Sequence, residues 1–93
     1  MSSSQLEMVV KHDGRLNLLC CFLDEGELSV LQLAARIGES AQLVRYWVNL
    51  LDSFDLVEKR DAPDGGEPLY AAALGDHPEW VMDAVRQHRP QAA

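Results

Sequence analysis

The stretch SVLQLAARIGESAQLVRYWVNLL, residues 29–51, constrains the fold more than any other part of the chain. Ser29 followed by Gln32 spells a capping box, S-x-x-Q, in which each of the two side chains accepts a hydrogen bond from the other residue's backbone N–H. It opens a helix that turns Val30, Leu33, Ala34 and Ile37 inward and lasts about two turns before Gly38 breaks it. Ser40 then caps a second helix, reaching about Phe54, with Val44, Trp47, Val48 and Leu51 at i, i+3, i+4 and i+7. With so few residues between them, the two apolar stripes can share one core only if the helices cross steeply, as in a helix-turn-helix.

The flanks supply the rest of that core. Gln5 to Lys11 reads as a short helix with Leu6, Val9 and Val10 on one side. Asp13 is placed to cap a longer helix over residues 14–24, with Leu16, Leu19, Cys20 and Leu23 at helical spacing, Leu18 and Phe22 widening the stripe, and Gly26 ending it. After Phe54 the pattern becomes extended. Leu56 to Ala62 and Pro68 to Leu74 read as two strands around a loop of turn formers, Pro63, Gly65 and Gly66. Asp76 and Glu79 suggest a second capping box, with Pro78 in the first turn of a last helix whose apolar side is Trp80, Val81 and Val85. The terminal PQAA is expected to fray.

With 47% apolar and 25% charged residues, the 93-residue sequence suits one globular domain spanning 1–93. No run of eighteen apolar residues occurs and the first residues carry no leader with a cleavage site, so the expectation is a cytoplasmic protein with no membrane partner. A net charge of −7 argues against a general polyanion binder. The cations are nevertheless concentrated, because residues 29–60 hold four basic and four acidic side chains while the acidic excess lies on either side.

Enzymatic signatures are missing from the sequence. Gly65 and Gly66 precede no P-loop lysine, and no serine occupies a nucleophile elbow. His12, His77 and His88 have no ligand spacing among themselves or with the cysteines, so neither a metal nor another cofactor is expected. Cys20 and Cys21 are adjacent, and on a helix such neighbours point about 100° apart. They are expected as reduced, buried thiols.

The segments DGRLNLLCCFLDEGELSVLQLAARIG, SAQLVRYWVNLLDSFDLVEKR and PLYAAAL together resemble the winged helix-turn-helix repressors of the ArsR type and, more loosely, those of the MarR type. The resemblance implies a mostly α fold with a small β-hairpin wing and flanking N- and C-terminal helices. It also implies a transcriptional regulator that binds duplex DNA as a homodimer. Carried over to this sequence, it puts Ser40, Ala41, Gln42, Arg45 and Tyr46 on the recognition helix. Gln42 would offer its amide to adenine, Arg45 its guanidinium to guanine or phosphate, and Tyr46 its hydroxyl to phosphate. Lys59 and Arg60 at the base of the wing, with Arg36 at the end of the preceding helix, would hold the DNA backbone. A plainer reading makes Arg45 and Tyr46 the solvated face of a core helix.

Leu6, Val9 and Val10 with Trp80, Val81 and Val85 form the expected dimer interface, on the ground that these stripes exceed what one small core needs. The sequence departs from the family at Asp55, where glycine is usual, at the apolar Leu43 and Trp47, and at a wing tip bearing Asp61, Asp64 and Glu67. Trp47 is expected in the core or against a partner, and the tip carboxylates are expected to turn away from the DNA. The family's metal-sensing cysteine motif has no counterpart, since the corresponding helix reads LQLAARI. An alternative reading keeps the fold but makes it a protein-interaction module, with a protein partner at the acidic wing and no strong DNA binding.

Overall fold

The computed structural model describes residues 3–88, so the terminal PQAA lies outside the described residues. The elements run α1 (Ser3–Val10), α2 (Asp13–Glu25), α3 (Val30–Ile37), α4 (Ala41–Ser53), β1 (Val57–Arg60), β2 (Leu69–Ala72) and α5 (Glu79–His88). The capping box at α3 forms as the sequence spells it. Gln32 N donates to Ser29 Oγ at 3.2 Å, and Ser29 N donates to Gln32 Oε1 at 2.9 Å. Gly38 ends α3 in the left-handed conformation (φ 73°), which costs glycine nothing. Ser40 Oγ accepts from Leu43 N at 3.2 Å and starts α4. Asp55 closes α4 at φ 58°, a conformation its short polar side chain tolerates, while Leu56 N reaches back to Leu51 O at 2.9 Å.

Four expectations shift. The N-cap of α2 is His12, without a side-chain bond, and Asp13 is the first helical residue, where its charge faces the positive end of the helix dipole. Leu23 is 39% exposed, and α2 turns Leu16, Leu18, Leu19, Cys20 and Phe22 inward instead. Both strands are shorter than their apolar runs because the ladder ends at Arg60↔Leu69 and Val57↔Ala72. Asp76 sits in a turn closed by His77 N to Leu74 O (3.2 Å), three residues ahead of α5, so it is too early to cap that helix.

The hairpin gains a partner that the sequence does not advertise. Leu28, between α2 and α3, exchanges two backbone hydrogen bonds with Tyr70 of β2, at 2.9 and 2.8 Å. This bridge fastens the wing to the start of the helix pair. At the centre lies α2, in contact with α1, α3, α4, α5 and β2. Around it Leu18, Leu19, Leu33, Leu51, Leu56, Val44 and Val48 are wholly buried.

Trp47 takes the core position expected for it, at 7% exposure. Its ring lies against Gly14, where an added Cβ would come within 2.3 Å of the indole, and beside His12, with ring centroids 5.4 Å apart. Gly14 is therefore required for space, not for an unusual backbone angle. The apolar stripes assigned to a dimer are also largely used up inside the protomer. Val10, Val81 and Val85 are 0% exposed and Val9 is buried with them, which leaves half-buried Leu6 and Trp80 at the surface of α1 and α5. The premise that these stripes exceed the needs of one core does not hold.

Candidate nucleic-acid interface

The two faces of α4 are chemically opposite. Val44, Trp47, Val48 and Leu51 are buried, and Leu43 and Leu50 pack half-buried against the same core, so the apolar character of the helix serves the protomer. Gln42, Arg45, Tyr46 and Asn49 are exposed at i, i+3, i+4 and i+7, with Tyr46 at 62%. Asn49 belongs to this face as fully as the three residues the sequence reading selected. The signal for it was present, since the spacing that identifies the buried stripe also identifies the polar one. Ser40 is exposed but its Oγ is committed to the cap, and Ala41 is half-buried.

The cations expected to face phosphate are mostly engaged by carboxylates of the same chain. Arg36 makes a two-pronged contact with Glu25, Nε to Oε2 at 2.7 Å and Nη2 to Oε1 at 2.8 Å. Hydrogen bonding to Arg36 holds the Glu25 carboxyl below its ordinary range, and the same contact raises the guanidinium. Arg45 Nη2 lies 3.8 Å from Glu67 Oε1. Arg60 meets Glu27 at 3.5 Å and Glu58 at 3.1 Å. Lys59 is exposed and forms no ion pair among the described residues; it lines a groove with Asp52, Asp55, Glu58, Asp76 and His77.

The loop at the wing tip bends back, with Ala62, Pro63, Asp64, Gly66 and Glu67 lining a groove against Ser29, Leu31 and Gln32 at the start of α3. Asp64 Oδ1 accepts from Gly66 N at 2.9 Å and shapes the turn. Glu67 is thereby brought to Arg45 of α4.

Only one of the adjacent cysteines is a core thiol. Cys20 is buried and its Sγ donates to Val85 O at 3.5 Å, whereas Cys21 is half-buried beside the Glu25–Arg36 pair. Burial pushes the Cys21 thiol up, Glu25 adds to the shift, and Arg36 opposes it. Neither cysteine is in a disulfide. His77 Nε2 meets Asp55 O at 2.7 Å and His88 Nε2 meets Asn17 Oδ1 at 2.8 Å, so both histidines tie elements together. Among the described residues no group of three or more His, Cys, Asp or Glu side chains is placed to hold a metal ion, and no helix is long and apolar enough to cross a membrane.

Two helices, α3 and α4, joined by a short turn and packed together, with an antiparallel hairpin fastened beside them, define a winged helix-turn-helix fold. No family model and no curated protein matches the sequence. Solved structures do. The chain is similar to the AntR antimony-specific transcriptional repressor, with 25% identity and a TM-score of 0.71 over 91% of this chain and 71% of that one. It is similar to reduced HlyU from Vibrio cholerae, with 24% identity and a TM-score of 0.75 over 98% and 90%. A third likeness is to the YusO protein from Bacillus subtilis, with 16% identity and a TM-score of 0.74 over 92% and 60%. The last two likenesses are of fold. Of the three, AntR is the one described by its role, that of a transcriptional repressor.

Proposed function

We propose that this chain is a sequence-specific duplex-DNA-binding transcriptional regulator that acts as a dimer. The observation that carries the reading is the solvated polar face of α4, opposite a fully apolar one, on a helix-turn-helix with a wing beside it. A helix of this kind fits the major groove, where base edges are read by side chains of its outer face. Lys59 and Arg60 at the base of the wing, with Arg36, would meet phosphate. The engaged arginines do not prevent this. Exposed ion pairs are worth about 0 to 1 kcal/mol, so phosphate competes readily with the carboxylates of Arg45 and Arg60. The two-pronged Arg36 pair is the hardest to exchange.

A dimer would set two copies of α4 about one DNA turn apart. The surface available for it is half-buried Leu6 of α1 with half-buried Trp80 of α5. Replacing Leu6 and Trp80 by aspartate is expected to give a folded monomer in sedimentation. A wild-type chain that is monomeric at high micromolar concentration rejects the interface.

The alternative, a winged-helix module for a protein partner at the acidic wing, is favoured by one observation. Each arginine proposed to face DNA already has a carboxylate within 4.0 Å. The two readings separate in a gel shift against the region upstream of the chain's own gene. A retarded band that survives nonspecific competitor supports the regulator, whereas failure to retard any duplex at low salt favours the protein partner.

A further inference from the structure

The outer face of α4 is ordered across its width, and the order assigns roles. Counting about 100° per residue from Gln42, Asn49 falls within about 20° of it, Tyr46 about 40° to one side and Arg45 about 60° to the other. The buried stripe is centred on the opposite side, Leu51 lying about 180° and Val44 about 200° from Gln42. Gln42 and Asn49 therefore form the midline of the exposed face, with Arg45 and Tyr46 as its two edges. The wing identifies the Arg45 edge, since Glu67 stands against that side chain.

We infer that Gln42 and Asn49 are the residues that set base specificity, each reading an adenine, and that Arg45 and Tyr46 contact the phosphate walls. The inference rests on the DNA-binding reading above. A helix laid in a groove points its midline at the floor and its edges at the walls, so midline residues see bases. Both midline side chains are carboxamides. A carboxamide donates to N7 and accepts from the N6 amino group of adenine in one planar arrangement that no other base offers in the major groove. Neither amide has a side-chain hydrogen-bond partner among the described residues, so neither must break a contact to read a base. Arg45, by contrast, starts from a carboxylate partner and is extended toward the wing.

The spacing sets the register. Seven residues of helix advance about 10 Å, which matches roughly three base steps of ~3.4 Å. The shorter Asn49 reaches the floor only if α4 lies along the groove rather than entering by its tip. Each half-site should therefore carry A·T pairs at two positions about three steps apart.

The test is selection from a randomised duplex pool with the full chain, repeated for Asn49→Ala, Gln42→Ala and Arg45→Ala. Wild type is expected to enrich A·T pairs at the two positions. Asn49→Ala should lose the preference at one position and Gln42→Ala at the other, each with about tenfold weaker binding to the enriched site. Their affinity for scrambled duplex and their salt dependence should match wild type, and their thermal unfolding should too, because both side chains are exposed. Arg45→Ala should weaken binding to all sequences alike. Enrichment by wild type with unchanged preference in Asn49→Ala overturns this inference alone. If wild type enriches no duplex, the inference falls together with the DNA-binding reading.

Discussion

One helix, α4, is held in two unlike ways. On its inner side Trp47, Val44, Val48 and Leu51 are locked into the core, the indole filling space that only a glycine at position 14 leaves open. On its outer side the contact with the rest of the chain is a 3.8 Å ion pair between two half-exposed side chains, Arg45 and Glu67. The inner side fixes where the helix sits, and the outer side remains exchangeable. Stability and recognition are thus separable on α4, and substitutions on either side should report on one property only.

The largest effect is expected on the inner side. Trp47→Ala should cost about 3 to 5 kcal/mol of unfolding free energy. Gly14→Ala, which forces the ring aside, should cost roughly 1 to 3 kcal/mol. Urea unfolding measures both, and a Gly14→Ala chain as stable as wild type breaks the packing argument. An intermediate effect is expected outside. Changing Asp61, Asp64 and Glu67 together to their amides should tighten DNA binding severalfold by removing repulsion and freeing Arg45. The midpoint of unfolding should hardly move. Abolished binding to a protein partner, with no duplex affinity gained, would instead place the function of the wing with that partner.

The smallest effect concerns the ion pair at Glu25. Its carboxyl is held below the ordinary range by Arg36, so its folded value lies under its unfolded one. The stabilisation is present above the unfolded carboxylate range and is lost as pH falls through the folded value. Wild type should exceed Glu25→Gln in stability near neutrality by a small margin that closes on acidification. A margin that does not change with pH would show that the charge of Glu25 contributes nothing.

The parts of the fold legible in the sequence are those governed by local chemistry. The Ser29–Gln32 box, the Ser40 cap and the helix break at Gly38 each follow from one residue type meeting one backbone requirement. Helical spacing likewise gave the buried stripe of α4. What stayed hidden depends on contacts between distant segments. Leu28 pairing with Tyr70 uses backbone groups that every residue carries, and so leaves no mark in side-chain pattern. Whether Val10, Val81 and Val85 face a core or a partner depends on how α1 and α5 dock, which apolarity alone does not specify. Of the candidate site, the family resemblance points to Gln42, Arg45 and Tyr46, and helical spacing adds Asn49 to their face. The carboxylate partners of the arginines arise from loop paths over longer separations.

The central claim is that a chain of net charge −7 binds duplex DNA through a neutral face and few phosphate contacts. Fluorescence anisotropy with a labelled duplex from upstream of its own gene, titrated with the full chain at 50 and 200 mM salt as in ordinary practice (roughly the range over which phosphate contacts reveal themselves), tests it most directly. The account predicts saturable binding whose affinity falls less steeply with salt than that of a protein making about 6 to 10 phosphate contacts. Absence of saturable binding at the lower salt, or a fall as steep as that of a strongly basic repressor, would contradict it.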